Sequence, residues 1–182
     1  CVPESGAVAR KPSHLSHRQA AALSCGGTTA LDFLRRGRLR SGERILVNGS
    51  SGCVGSAVVQ IARSFGAEVT GVCGPRNTGV VKALGANRVI DYSEQDFVSG
   101  GESYDVIVDT VGNCSYRRCN RVLNEGGRLM LVAADLMDML NAPLITILSA
   151  KRVLVGPTAV LPDDIRAIAD LVENNSLRPL LD

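Results

Sequence analysis

The chain contains no tryptophan, and aromatic residues make up only 3% of it. That leaves few rings on which bases could stack, so a nucleic-acid partner is not expected. Charge points the same way. Twenty Lys and Arg against 18 Asp and Glu leave a net +2, far from a polyanion-binding footprint. Histidine is scarce, with only His14 and His17. The six cysteines are Cys1, Cys25, Cys53, Cys73, Cys114 and Cys119, and no two form a C-x-x-C pair. Without closely spaced ligands no metal site is expected. No apolar run reaches the roughly 18 residues of a membrane span, and no charged-then-apolar leader opens the sequence. The expectation is a cytoplasmic chain with reduced cysteines. It begins at Cys1 rather than Met, so the true start is expected to be missing.

What is present is a single domain's worth of chain. The 182 residues, 45% of them hydrophobic, suit one domain with a sizeable core. Residues 1–40 read as a leading segment and helices, and 41–182 as the main α/β unit. Ser16 and Gln19 form a capping-box pattern that opens a helical region. Gly26 and Gly27 are expected to interrupt it, and it ends near Gly37.

Beyond that point strand and helix patterns alternate. Short apolar strands are expected at 44–48, 68–72, 88–91, 104–110, 128–133 and 151–156. Helical spacing lies between them, most clearly at Val54, Ala57, Val58, Ile61, Ala62 and Phe65. Further helices are expected near 78–84, near 115–123, as a short piece before residue 151, and from Pro162. Six alternations imply a doubly wound Rossmann fold: a six-stranded parallel sheet in the order 3-2-1-4-5-6.

The turn after the first strand carries the chemistry. The dinucleotide fingerprint G-x-G-x-x-G maps onto Ser50-Ser51-Gly52-Cys53-Val54-Gly55, with two of three glycines in place. Gly52 stands where backbone must approach a pyrophosphate, and Gly55 where helix packs close to strand. Gly49 is expected to supply the turn that Ser50 cannot. Free N–H groups at the following helix start, Ser51 to Val54, would meet the phosphates. Other chemistries fail on residues. The nucleophile elbow G-x-S-x-G lacks its last glycine, because Cys53 stands there. No lysine fits a P-loop. No tyrosine is followed four residues on by lysine. A methyltransferase with a similar sheet would place an acid after the second strand, and Val72-Cys73-Gly74 supplies none.

That same missing acid bears on the cofactor. An NAD site ordinarily places Asp or Glu about 20 residues beyond the glycines, on the ribose 2′-OH. Here the segment reads Val72-Cys73-Gly74-Pro75-Arg76-Asn77. Nothing repels a 2′-phosphate, Gly74 lets the backbone approach, and Arg76 offers a planar fork of donors. NADP(H) is therefore the expected cofactor.

With "NGSSGCVG", "GAEVTGVCGPRN", "LGANRVIDY" and "YDVIVDTVGN" taken in order, residues 14–182 resemble the medium-chain dehydrogenase/reductase superfamily. The nearest likeness is its zinc-independent, quinone-reductase-like (zeta-crystallin-like) branch. The resemblance implies a cofactor domain whose GroES-like catalytic partner is absent from this segment. It implies hydride transfer between nicotinamide and a small-molecule quinone, enone or carbonyl/alcohol substrate in the intact parent. "GGTTAL" resembles the family's segment near nicotinamide and phosphates, which points to Thr29. "IDY" points to Tyr92 near the adenosine phosphate, and "DTVGN" to Val111 and Gly112 along the cofactor. "LVAA" departs from the family's usual glycine pair at Ala133 and Ala134. No catalytic proton-transfer residue is expected within this chain. A homodimer is expected through the apolar edge strand Arg152 to Gly156. The alternative is a non-enzymatic dinucleotide-binding or dimerisation module.

Overall fold

The computed structural model describes residues 8–159 and 161–180; Cys1 lies outside them. A helix α1 (His17–Arg36) leads into β1 (Arg44–Asn48), α2 (Cys53–Ser64) and β2 (Glu68–Cys73). A single 3-10 turn, Pro75–Asn77, precedes α3 (Thr78–Ala83) and β3 (Arg88–Asp91). Then come β4 (Tyr104–Asp109), α4 (Tyr116–Cys119), β5 (Leu123–Leu131), α5 (Leu136–Leu148), β6 (Arg152–Leu154) and α6 (Pro162–Glu173). The six strands form one sheet in the order β3-β2-β1-β4-β5-β6, every neighbour parallel. This is the doubly wound arrangement that the alternating pattern predicts.

Helices cover both faces. On one face Leu31, Phe33 and Leu34 of α1, Val58, Val59 and Ile61 of α2, Val81 of α3 and Ile168 and Val172 of α6 join the inward residues of β1, β2 and β4. On the other, Cys119 of α4 and Ala142 of α5 pack with Leu46, Ile107, Leu129 and Val153. Each fully buried Leu, Ile or Phe contributes about 1.5–3 kcal/mol.

The α1 start is the capping box read from sequence: Gln19 N–H donates to Ser16 Oγ at 3.2 Å, and Ser16 N–H to Gln19 Oε1 at 2.8 Å. The expected interruption at Gly26 and Gly27 does not occur, and α1 is continuous. Both glycines are buried at helix contacts. A Cβ on Gly26 would lie 2.5 Å from the Cys53 carbonyl oxygen, and one on Gly27 would lie 3.0 Å from Ile168. The glycines answer to tertiary packing against α2 and α6, not to a break in the helix.

Other boundaries also shift. The helix expected near 115–123 is only one turn, because the chain enters the sheet at Leu123, opposite Tyr104. The fifth strand therefore starts earlier than expected and carries Gly126 and Gly127 within it. The short piece before β6 is a 13-residue helix, and β6 itself spans only three residues. Among the described residues no helix is long and apolar enough to cross a membrane.

Candidate functional site

The site lies at the carboxyl ends of β1, β2 and β4, where the strand order reverses and α/β sheets leave a crevice. Gly49 opens the turn at φ +82°, a conformation side chains resist. The Gly49 and Ser50 N–H groups both donate to the Val72 carbonyl, at 3.1 and 3.0 Å. Ser50 is fully buried, and its Oγ donates to the same carbonyl at 2.9 Å. The serine in the first fingerprint position thus ties the turn to β2, while Gly49 makes the bend. Gly55 cannot carry a side chain, since its Cβ would fall 2.1 Å from the Gly49 carbonyl oxygen.

Gly52 is the N-cap of α2 and supplies no side-chain cap. The first-turn N–H groups of Cys53, Val54 and Gly55 therefore have no capping side chain to compete for them. They present donors and a positive dipole end, which is what a pyrophosphate requires.

Two clefts flank this turn. The larger, about 630 Å³, is bounded by Ser51, Gly74, Arg76, Tyr92 and Val111 among the expected residues. Asn77 on its rim donates to Ser51 Oγ at 3.2 Å, joining the β2 loop to the phosphate turn. A Cβ on Gly74 would lie 2.9 Å from the Tyr92 hydroxyl, so a serine there would crowd the ring. Tyr92 is 67% exposed and belongs to the cleft, not to the core. The smaller cleft, about 240 Å³, is bounded by Ser51, Gly52 and Cys53 on the far side of the turn. Val54 is partly buried and packs inward against the core, so only its backbone can serve a ligand. Gly112 is exposed, at φ +83°. Thr29 sits half-buried in α1 and bounds neither cleft.

Several residues of the site escaped the sequence reading. Asn48, Gln95, Asp96, Phe97, Asn113 and Arg118 also bound the larger cleft. Beneath it lies Asp109, 1% exposed. Its carboxylate accepts the N–H groups of Val111 at 3.1 Å, Gly112 at 3.1 Å and Cys114 at 3.0 Å, besides Asn48 Nδ2 at 2.8 Å. It shapes the loop that carries Val111 and Gly112. The signal was present in sequence: polar Asn48 and Asp109 each close a strand directly after three apolar residues, Ile45–Val47 and Val106–Val108.

Among the described residues the one acid on the larger cleft is Asp96, and Arg118 donates to it at 2.8 Å. That hydrogen bond, aided by the Val98 N–H, holds the Asp96 carboxyl below its ordinary pKa. Arg118 also stacks over Phe97, 5.0 Å from the ring centre. Arg76 and Arg118 against Asp96 leave the cleft with a positive balance. The volume, the unobstructed helix start and the positive rim fit a phosphorylated dinucleotide. Among the described residues no group of three His, Cys, Asp or Glu could hold a metal ion.

Known proteins share this fold. The zinc-binding dehydrogenase family matches residues 53–174. The 2-methylene-furan-3-one reductase of Solanum lycopersicum is 38% identical over 133 residues, 71% of this chain and 33% of that protein. The chloroplastic NADPH-dependent alkenal/one oxidoreductase of Arabidopsis thaliana is 33% identical over 129 residues, 70% of this chain and 33% of that protein. The solved quinone oxidoreductase of Coxiella burnetii superposes with a TM-score of 0.85 at 26% identity, covering 96% of this chain and 55% of that one. The chain thus spans a third of the length of the two plant reductases and about half of the bacterial enzyme. The match over most of the sheet and its helices places the chain in the zinc-binding dehydrogenase family, as the cofactor-binding half of a quinone-oxidoreductase-like medium-chain dehydrogenase/reductase.

Proposed function

We propose that this chain is the NADP(H)-binding domain of an oxidoreductase that transfers hydride between nicotinamide and a quinone, an enone or a carbonyl/alcohol pair. The observation that carries the cofactor choice is Arg76 on the rim of the larger cleft, in a β2 loop that holds no acid. The guanidinium would offer a bound 2′-phosphate a planar fork of donors, and no carboxylate in that loop stands ready for a 2′-hydroxyl. The names of the relatives, one NADPH-dependent and acting on alkenals and enones, favour the substrate class. Thr29, Tyr92, Val111 and Gly112 are proposed cofactor contacts in the intact parent.

The nicotinamide, when bound, supplies the hydride chemistry. This chain's residues bind and orient. The α2 start and Gly52 would hold the pyrophosphate, Arg76 and Asn77 the 2′-phosphate side, and the Asp109-held loop the remaining edge. The catalytic half of the parent fixes substrate and excludes water, so this chain alone is expected to turn over little.

Titration of the chain with NADPH and NADH tests the assignment. NADPH is expected to bind at least about tenfold tighter, and Arg76→Ala to remove that margin, as loss of a charge-assisted phosphate contact does. Equal affinities, or NADPH binding unchanged in the variant, would refute it.

A further inference from the structure

Arg118 is held on two sides, unlike an ordinary surface arginine. Its Nη2 donates to Asp96 Oδ1 at 2.8 Å, and its guanidinium carbon lies 5.0 Å from the centre of the Phe97 ring. Phe97 is 4% exposed and belongs to the core cluster that includes Cys119 of α4, so the ring is a fixed support. The segment between β3 and β4 supplies both partners, one at the edge of the guanidinium and one under its face. A lone exposed ion pair gains little against the entropy of ordering a long side chain. Here the ring beneath adds a cation–π contact. The Arg118 side chain nevertheless keeps 40% of its surface exposed, and it bounds the larger cleft together with Phe97.

On the reading of this cleft as a dinucleotide site, we propose that the open face of the Arg118 guanidinium is the platform on which the adenine ring stacks. A guanidinium is planar, delocalised and weakly hydrated, so it stacks on flat π systems where an ammonium does not. Bases stack on arginine planes as they do on aromatic rings. Of the chain's three Tyr and three Phe, Tyr92 and Phe97 bound the cleft. Phe97 is too deeply buried to meet a base over its whole face, and Arg118 lying over it carries that flat surface outward.

The surroundings of Arg118 favour a neutral ring over a phosphate. Its edge donor is already engaged by Asp96, and that carboxylate would repel an anion placed beside it. Arg76 differs, because its loop holds no acid. The two arginines therefore divide the adenosine half of the ligand, Arg76 facing charge and Arg118 facing the base. The sheet sets the spacing. Arg76 follows β2 and Arg118 follows β4, which flank β1, so they rise from loops whose strand ends are about 10 Å apart. A ribose and a purine fit in that width.

Titrations with NADPH, NADH and 5′-AMP, which have the adenosine 5′-phosphate half in common, test the assignment. Arg118→Leu is expected to weaken all three about tenfold, the scale of one base stack, and to leave the margin between NADPH and NADH in place. Arg118→Lys is expected to match it, because lysine keeps the charge and loses the plane. Circular dichroism should be unchanged in both. Full rescue by lysine, a loss confined to NADPH, or unchanged affinity for all three ligands in Arg118→Leu would overturn the proposal. The choice of cofactor reads out separately, in the unaltered chain. Equal NADPH and NADH affinities, with the Arg118→Leu loss intact, would refute the NADP(H) reading and support the stack. An unaltered chain that bound none of the three ligands would overturn both.

Discussion

Asn48, the last residue of β1, donates from Nδ2 to Oδ1 of Asp109, the last residue of β4, across 2.8 Å. Two neighbouring strand ends are thereby fastened beneath the cleft. Asn48 also donates to Asn113 Oδ1 at 2.7 Å, so one amide ties the strand to the loop above it. Asp109→Asn is expected to destabilise the fold by about 2–3 kcal/mol, because an amide nitrogen would face donors where a carboxylate accepted them. NADPH affinity should fall roughly tenfold as the Val111–Gly112 loop loses its shape. Chemical denaturation and cofactor titration measure the two effects. A variant with unchanged stability would mean that the carboxylate is not the organiser of the loop.

Gly55 and Gly26 are expected to be intolerant of a single methyl group. Alanine at 55 would fall 2.1 Å from the Gly49 oxygen, and alanine at 26 would fall 2.5 Å from the Cys53 oxygen. Both obstacles are backbone atoms, which cannot rotate away. Each substitution should cost about 1–3 kcal/mol by overpacking. Gly52→Ala provides the contrast. Its nearest obstacle is 3.4 Å away, so thermal stability should hold while phosphate binding weakens. Equal losses of melting temperature at all three positions would contradict this ordering.

Glu43 and Arg128 supply a pH dependence. Arg128 donates twice to the Glu43 carboxylate, at 2.9 and 2.5 Å, and its Nε donates to the Gly37 carbonyl at 2.9 Å. Burial pushes the Glu43 carboxyl up, but the Arg128 hydrogen bond and the Arg40 N–H outweigh it and leave the pKa below its ordinary 4.5. A carboxyl lowered in the folded state stabilises fully above its unfolded pKa, and that contribution is lost as pH falls through the folded value. Glu43→Gln should therefore be about 1–2 kcal/mol less stable at neutral pH. The gap should close in acid. Melting curves at both extremes would show it, and a gap that widened in acid would have the wrong sign.

Asp96 offers a gain rather than a loss. Among the described residues it is the one carboxylate on the larger cleft, and it holds Arg118. Asp96→Asn would leave Arg118 uncompensated and raise the positive potential of the rim. NADPH should bind about two- to fivefold tighter at low salt, and the difference should shrink as salt screens it. A weaker NADPH complex at low salt would show that the Asp96–Arg118 pair serves to position the rim instead.

Much of the fold was legible because strands buried on both faces read as unbroken apolar runs. "ILV" in β1 and "VIV" in β4 are nearly complete signals of this kind, and their order fixes the topology. The phosphate turn was legible for a related reason, since few alternatives share its glycine spacing. What escaped was set by distant contacts. Gly26 looks like a helix breaker until Cys53 lies against it. Leu123 looks like the end of a helix until Tyr104 pairs with it. Arg118 looked unremarkable because neither glycine spacing nor hydrophobic period marks it, and Asp109 was marked only as a polar residue at the end of an apolar run. Their roles arise only when the loop after β4 folds over the cleft. Thr29 shows the reverse: a family pattern named it, yet in this chain's own geometry it borders neither cleft.

The contact between α1 and α2 bears on the thermodynamics of binding. Because Gly26 leaves no side chain between the two helices, the first turn of α2 rests against another backbone. Such a contact has almost no rotamer freedom to surrender. Loops that order themselves around a phosphate give up conformational entropy at the moment of binding, and affinity falls accordingly. Here the shape of the turn is set during folding, so a phosphate bound there would meet a turn already formed.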